Sequence, residues 1–298
     1  MKILLLGATG QVGTECLRSL APLGELVVAT RSGSLPDGTA CEVADFDVPD
    51  SLATLVGKVG PDVVVNAAAY TAVDLAESER EAAWRVNAEA PGVLARACAS
   101  RDALLVHYST DYVFDGTGSR PYREDDPTAP LGAYGESKLA GENEIRAAGA
   151  RHLILRTAWV YAAHGKNFLR TMLRLGSERD TLRVVADQVG SPTSAGLIAD
   201  TTARLLAMPD IAQGVRHLTS SGETSWHGFA TAIFTNAREL GLLERMPDVE
   251  PISTSQYPTP ARRPSYSVLD NTLIAKELGT TLPPWQVELQ RVLAVAGS

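Results

Sequence analysis

Two side chains near the middle of the sequence are spaced for acid–base chemistry. Tyr134 and Lys138 stand four positions apart, which on a helix puts them on one face. A phenol with a pKa of about 10 is a poor proton donor and a poor base at neutral pH. An ammonium held beside it stabilises the phenolate and is expected to draw that pKa toward the working range. Lys138 can also hold the ribose next to a nicotinamide. Because Tyr and Lys meet at this spacing by chance in many chains, the pair needs support from its surroundings. Gly135 and Gly141 read as room left beside a ligand, and upstream the run His107-Tyr108-Ser109-Thr110-Asp111-Tyr112 places hydroxyls at the end of an apolar strand. Thr110 is expected to hydrogen-bond a substrate carbonyl oxygen and polarise it.

A second constellation opens the chain. Gly7-Ala8-Thr9-Gly10-Gln11-Val12-Gly13 follows the apolar run Ile3 to Leu6 at once and starts a helical pattern, giving the order strand, glycine turn, helix. Gly7 allows the tight turn, Gly10 lets the backbone approach a pyrophosphate, and Gly13 lets helix pack on strand. The positive helix end then faces the phosphates. An acidic residue that would take the ribose 2′-hydroxyl is expected about 20 positions on, but the second strand ends in Thr30-Arg31-Ser32. Arg31 can stack on adenine or pair with a 2′-phosphate, which favours NADPH over NADH. Asp45 and Phe46 are expected to bracket the adenine as acceptor and apolar wall.

These residues need a scaffold that brings strand ends together. Short apolar runs recur at Ile3 to Leu6, Leu26 to Ala29, Val63 to Val65, Leu104 to Val106 and Leu153 to Leu155; continuous rather than alternating, they read as buried parallel strands. Helical patterns separate them at Val12 to Ala21, Ser51 to Lys58, Glu79 to Ser100 and Tyr134 to Ala148. The alternation predicts an α/β fold with a Rossmann-type doubly wound parallel sheet, in which ligands bind at the carboxyl edge. Beyond Tyr161, glycines and prolines break the rhythm, predicting a smaller, loop-rich C-terminal substrate lobe. The expected division is a dinucleotide-binding domain over 1–160, with a returning strand near 214–220, and a lobe over 161–298.

Composition narrows the function classes. The chain has 298 residues, 45% apolar and 21% charged, with net charge -8, an ordinary globular balance. Such a charge argues against nucleic acid as partner, since duplex binding needs clustered cations. No stretch approaches the roughly 20 apolar residues of a membrane span, and the apolar N-terminal run is too short for a signal segment. A cytoplasmic location and no membrane partner are expected. Cys16, Cys41 and Cys98 lack metal spacing and read as small reduced thiols. None of the five His residues stands at metal-ligand spacing with another, and His107 reads as a satisfied core residue.

Several longer segments carry a resemblance. Gly7 to Gly13, Asn66 to Asp74, Ser109 to Phe114, Tyr134-Gly135-Glu136-Ser137-Lys138 and Arg156 to Tyr161 resemble the dTDP-4-dehydrorhamnose reductase family of extended short-chain dehydrogenases. The likeness continues through Asp187-Gln188, Ser191-Pro192-Thr193 and Pro260 to Pro264, covering nearly the whole chain. It implies reduction of the C4 keto group of a dTDP-activated deoxysugar by NADPH or NADH. Thr110, Tyr134 and Lys138 match the catalytic triad, with Tyr134 as proton donor. Gly10, Gln11 and Val12 match the phosphate turn, and Ala67, Ala68, Ala69, Tyr70 and Thr71 the loop beside the cofactor. Thr71, Val73, Thr110, Asp111, Tyr112, Trp159, Asn167, Gln188 and Arg262 are the expected sugar-nucleotide contacts. Arg262 and Arg263 both suit a diphosphate by their fork geometry. Leu75 stands where the family often has Lys, and Thr30-Arg31 where it often has an acidic residue, so cofactor choice stays open.

Two rival readings share the fold. A sugar-nucleotide epimerase or dehydratase is one; dehydratases typically carry Asp-Glu after the catalytic Thr, whereas Asp111-Tyr112 stands here. The other is a non-catalytic regulatory subunit of the methionine adenosyltransferase type, against which Tyr134 and Lys138 speak. A homodimer is compatible with the sequence, and whether a divalent ion such as Mg2+ assists subunit association is not legible in it.

Overall fold

The computed structural model describes residues 1–211 and 213–296. Seven parallel strands form the central sheet, in the spatial order Gly214–His217, His152–Thr157, Leu104–Thr110, Val63–Asn66, Lys2–Leu6, Glu25–Thr30, Glu42–Val43. The first strand sits inside the sheet; the chain runs outward from it to one side, then returns to its other side at Val63–Asn66. That reversal creates a switch point, where strand ends diverge and leave a crevice. Ile3, Leu4, Leu5 and Leu6 are all fully buried, as a strand covered on both faces requires.

Two cores lie on either side of the sheet. On one side the helices Gln11–Leu20 and Ala195–Leu206 pack with Ile3, Leu5, Val106 and Leu155. On the other, Asp50–Val59, Ala90–Ala99 and Ala133–Ala147 cover Leu4, Leu6, Leu105 and Ile154. The helical stretch expected over Glu79 to Ser100 is broken by a π-helical turn, Arg85–Glu89. Such turns recur at functional sites because they re-aim a side chain. Here the side chain is Asn87, which accepts from the Tyr70 N–H and donates to the Tyr70 carbonyl and to Ser137 Oγ.

A third core gathers Tyr161, Leu169, Phe229, Phe234, Trp285 and Leu289. It is built by the helices Phe168–Glu178, Trp226–Glu239 and Trp285–Ala296 against a parallel strand pair, Thr181–Val185 with Asp248–Ile252. This part is richer in helix than its glycine and proline punctuation suggests. Side-chain caps explain where the helices begin: Asn167 Oδ1, Ser194 Oγ and Ser225 Oγ each accept from a backbone N–H of the first turn. The helix Ala195–Leu206 and the strand Gly214–His217 return to the main sheet, so the chain does not divide at one point. Ser19 and Arg18 tie the first helix to Asp200 of the helix Ala195–Leu206.

Candidate active site

The carboxyl ends of the strands open on a cleft of 630 Å³ lined by Gly7, Gly10, Gln11, Val12, Arg31, Phe46, Ala67, Ala68, Ala69, Thr71, Tyr134 and Lys138. The glycine turn shows why side chains are excluded from it. Gly7 has φ +76° and a Cβ there would lie 2.5 Å from the Ala68 nitrogen; at Gly13 a Cβ would meet the Gly7 carbonyl oxygen at 2.1 Å. Gly13 is therefore a packing residue and does not line the cleft. Gly10 caps the first helix without any side-chain hydrogen bond, so the N–H groups of its first turn face the cleft at the positive helix end. The residues present fit a dinucleotide: backbone donors for the diphosphate, the buried ring of Phe46 and Ala44 on the far wall, and the exposed Arg31 at the rim, 3.5 Å from Asp47.

Tyr134 enters from the helix Ala133–Ala147, whose start is fixed by Glu77, which accepts from the Ala133 N–H. It lines both this cleft and an adjoining crevice formed with Val73, Glu77, Tyr112, Phe114, Arg262 and Pro264. The Tyr112 ring meets it edge-on at 5.7 Å. Burial, with the Asp111 carboxyl nearby, pushes the Tyr134 phenol up to about 12. This corrects the expectation that Lys138 draws the phenol toward neutrality. Lys138 is 2% exposed, and its Nζ donates to the Tyr108 carbonyl at 2.7 Å and lies 3.1 Å from His107 Nε2. Burial, opposed by the Glu142 carboxylate, lowers its pKa to about 8. Tyr134 is thus held as a phenol at neutral pH, the form a proton donor needs.

Thr110 ends the strand Leu104–Thr110, accepts from the Tyr112 N–H and donates to Asp111 Oδ1 at 3.0 Å. Its hydroxyl proton is directed at Asp111 in this structure rather than toward the cleft. Burial raises the Asp111 carboxyl to about 6, against hydrogen bonds from Ser267 and Thr110. Beneath the strand, Glu142 accepts from Ser109 Oγ at 2.6 Å and from Arg156 through both carboxylate oxygens at 2.8 and 2.7 Å. A buried charge so fully hydrogen-bonded holds the strand end and the catalytic helix in fixed relation.

Other expected residues fall elsewhere. Gly135 and Gly141 make room for protein rather than ligand: a Cβ would lie 2.3 Å from the Tyr112 carbonyl oxygen at the first and 2.0 Å from that of Asn87 at the second. Asp45 accepts from the Asp47 N–H in a local turn and does not line the cleft. Tyr70 turns its hydroxyl to Glu79. Asn167 caps its helix and donates to Gln11 Oε1 at 2.8 Å and to two carbonyls, so it braces the phosphate turn instead of facing a sugar. Gln188 is buried and donates to Thr254 Oγ1.

Of the two arginines in the late loop, Arg263 is committed to Asp74 through two hydrogen bonds, whereas Arg262 is exposed and lines the crevice beside Tyr134. Trp159, with φ +48°, stacks on Trp226 at 3.5 Å between centroids, and Gly190 leaves space for its indole. The adjacent Val160, not Trp159, reaches the cleft, together with Ser109, Thr157, Gly165 and Lys166. Sequence reasoning missed these. Lys166 lies far along the chain from the phosphate turn and had no motif to mark it; Ser109 stood within the hydroxyl-bearing strand end. Among the described residues, no cluster of three or more His, Cys, Asp or Glu side chains could hold a metal ion, and no helix is long and apolar enough to cross a membrane.

Comparison with known proteins agrees with this geometry over the full length. A dTDP-4-dehydrorhamnose reductase from Burkholderia thailandensis is 52% identical over 295 residues, covering 96% of each chain. A crystal structure of a dTDP-4-dehydrorhamnose reductase from Clostridium acetobutylicum superposes with TM-score 0.89 at 36% identity, covering 100% of both chains. The same enzyme from Bacillus anthracis, solved in complex with NADP, gives TM-score 0.89 at 32% identity, covering 99% of this chain and all of that one. With residues 1–297 also matching the RmlD substrate binding domain family, the chain belongs to that family.

Proposed function

We propose that the protein reduces the C4 keto group of dTDP-4-dehydro-L-rhamnose to give dTDP-L-rhamnose, using NAD(P)H. The observation that carries the reading is one cleft shared by a glycine phosphate turn, a buried lysine and a phenol held protonated well above neutral pH. The nicotinamide, when bound, supplies the hydride for the C4 carbon. The N–H groups of the first helical turn and the exposed Lys166 hold the cofactor diphosphate, and Ala67, Ala68, Ala69 and Thr71 wall its nicotinamide half. Arg31 at the rim pairs with a 2′-phosphate, so NADPH is the preferred form.

Tyr134 gives its phenolic proton to the C4 oxygen, and Thr110 orients the sugar from the strand end. A phenol that keeps its proton at neutral pH suits reduction, where the enzyme must donate. Arg262, free of ion pairs among the described residues, binds the sugar-nucleotide diphosphate in the crevice where Val73 and Tyr112 meet. Residues 161–298 contribute mainly to the substrate side, apart from 195–217. The test is direct: purified protein, NADPH and the keto-sugar nucleotide, following loss of nicotinamide absorbance and identifying the product. Absence of dTDP-L-rhamnose would refute the reading.

A further inference from the structure

The loop 162–167 folds onto the phosphate turn around a single side chain. Asn167 Oδ1 accepts from the Arg170 N–H at 3.1 Å, which fixes the orientation of the Asn167 amide. Its Nδ2 then donates to Gln11 Oε1 at 2.8 Å, to the His164 carbonyl at 2.9 Å and to the Ala162 carbonyl at 3.0 Å. Two protons serve three acceptors, so one of them is shared. Around this centre, Arg170 donates to the Ala163 carbonyl, Thr171 Oγ1 donates to the Asn167 carbonyl, and His164 Nε2 lies 3.1 Å from Glu15 Oε1 on the first helix. Gly165, with φ +72°, makes the turn that brings the loop against Gln11; a Cβ there would lie 3.4 Å from Gln11 Cγ.

This arrangement leaves two donors over. With Oε1 taken by Asn167, the remaining amide atom of Gln11 is Nε2, and among the described residues nothing accepts from it. Lys166 Nζ has neither an acceptor nor a carboxylate partner among the described residues. Both residues line the cleft beside Gly10 and Val12, whereas Asn167 does not. An amide N–H, an ammonium and the open end of the first helix are donors waiting for anionic oxygens, which a dinucleotide diphosphate supplies.

We infer that Asn167 is a positioning residue for the cofactor diphosphate: it turns the Gln11 amide so that its donor end is left for the cleft, and it holds the loop that carries Lys166. The inference deepens the proposed function, since it rests on the dinucleotide site of that reading, but not on the identity of the sugar. Without the Asn167 donors, Gln11 is free to present its oxygen, which an anion repels. The loop also loses its internal hydrogen bonds, so Lys166 has to be ordered when the cofactor binds, at a cost in affinity. The same loop runs directly into the helix Phe168–Glu178 of the third core, so the substrate lobe lends a cation to the cofactor.

Equilibrium titration of the full-length protein with NADPH, followed by nicotinamide fluorescence, tests this without turnover. Asn167→Ser keeps an oxygen to cap the helix and removes the donors. Its Kd for NADPH should rise about tenfold, the scale of a lost hydrogen bond to a charged group. In a Gln11→Leu, Lys166→Met background the same substitution should leave the Kd where that background sets it, because the donors it positions are already gone. An equal rise in both backgrounds would mean that Asn167 acts through the general fold, and an unmoved Kd in the single variant would mean that it positions nothing; either overturns the inference. Asn167→Asp also keeps the cap and serves as the second variant, with the same pair of outcomes. Added salt should weaken NADPH binding more in the wild type than in Lys166→Met, since it screens the ammonium; equal sensitivity would remove Lys166 from the diphosphate and overturn the inference. Wild-type protein that binds NADPH as expected but leaves the keto-sugar unreduced would sink the reductase reading alone.

Discussion

At the scale of single residues, protonation decides what the site can do. Tyr134 is buried and keeps its proton, so removing its hydroxyl (Tyr134→Phe) is expected to lower turnover by ~10²–10⁴, the range of a general acid, while NADPH binding is kept. Near-normal turnover by the variant would exclude the role. Arg31 is exposed, so its contribution is that of a surface charge: Arg31→Ala should raise the KM for NADPH about fivefold, the equivalent of ~1 kcal/mol, and leave the KM for NADH unchanged. Asp111 carries a pH prediction. Its folded pKa of about 6 lies above the unfolded value, so between about pH 4 and 6 the native state holds a proton that the unfolded chain releases. Its contribution to stability is therefore fullest at low pH and falls as pH rises through that window, by ~2–3 kcal/mol in all. Urea unfolding at pH 4.5 and 7 should show the wild type losing more stability over this interval than Asp111→Asn; equal losses would contradict it.

At the scale of elements, the site depends on backbone approaching backbone. The first helix reaches the first strand only because Gly13 has no side chain, the Gly7 carbonyl lying 2.1 Å from where a Cβ would be. Gly13→Ala should destabilise the protein by about 1–3 kcal/mol through overpacking and weaken NADPH binding along with it. A thermal melt and a cofactor titration check this, and an unchanged melting temperature would show that the turn can yield. The strands and the helices around them were legible because fully buried strands read as continuous apolar runs. The π-helical turn at Arg85–Glu89 was not, because a one-residue insertion barely alters apolar periodicity, yet it is what aims Asn87 at the cofactor loop. Gly135 and Gly141, expected to leave room beside a ligand, instead let the backbone of Tyr112 and Asn87 come close, an approach that only the packed helices reveal.

At the scale of the whole molecule, the loop after the fourth strand and the loop near residue 260 clasp across the crevice. Asp74 accepts from Arg263 at 2.9 and 3.1 Å and from the Ala261 N–H. The Arg263 guanidinium also lies near Tyr112, whose ring meets Tyr134 edge-on. Breaking the clasp with Arg263→Ala should raise the KM for the sugar nucleotide on the order of tenfold, or ~1.4 kcal/mol, with the KM for NADPH unchanged. An equal rise in both would mean that the loss is general rather than confined to the crevice.

The sequence by itself determined the strand–turn–helix start, the parallel sheet and the pairing of Tyr134 with Lys138, because each is written in local spacing: glycines where no side chain fits, apolar runs where both faces are covered, two side chains one helical turn apart. Tertiary structure alone decided which of Arg262 and Arg263 stays free, that Asn167 braces Gln11, that Trp226 covers one face of Trp159, and that His107 meets Lys138. Those pairings join residues far apart in the chain or on different elements. Charge, tautomer and burial at such contacts are set by the partner that folding brings in, not by any neighbour in sequence.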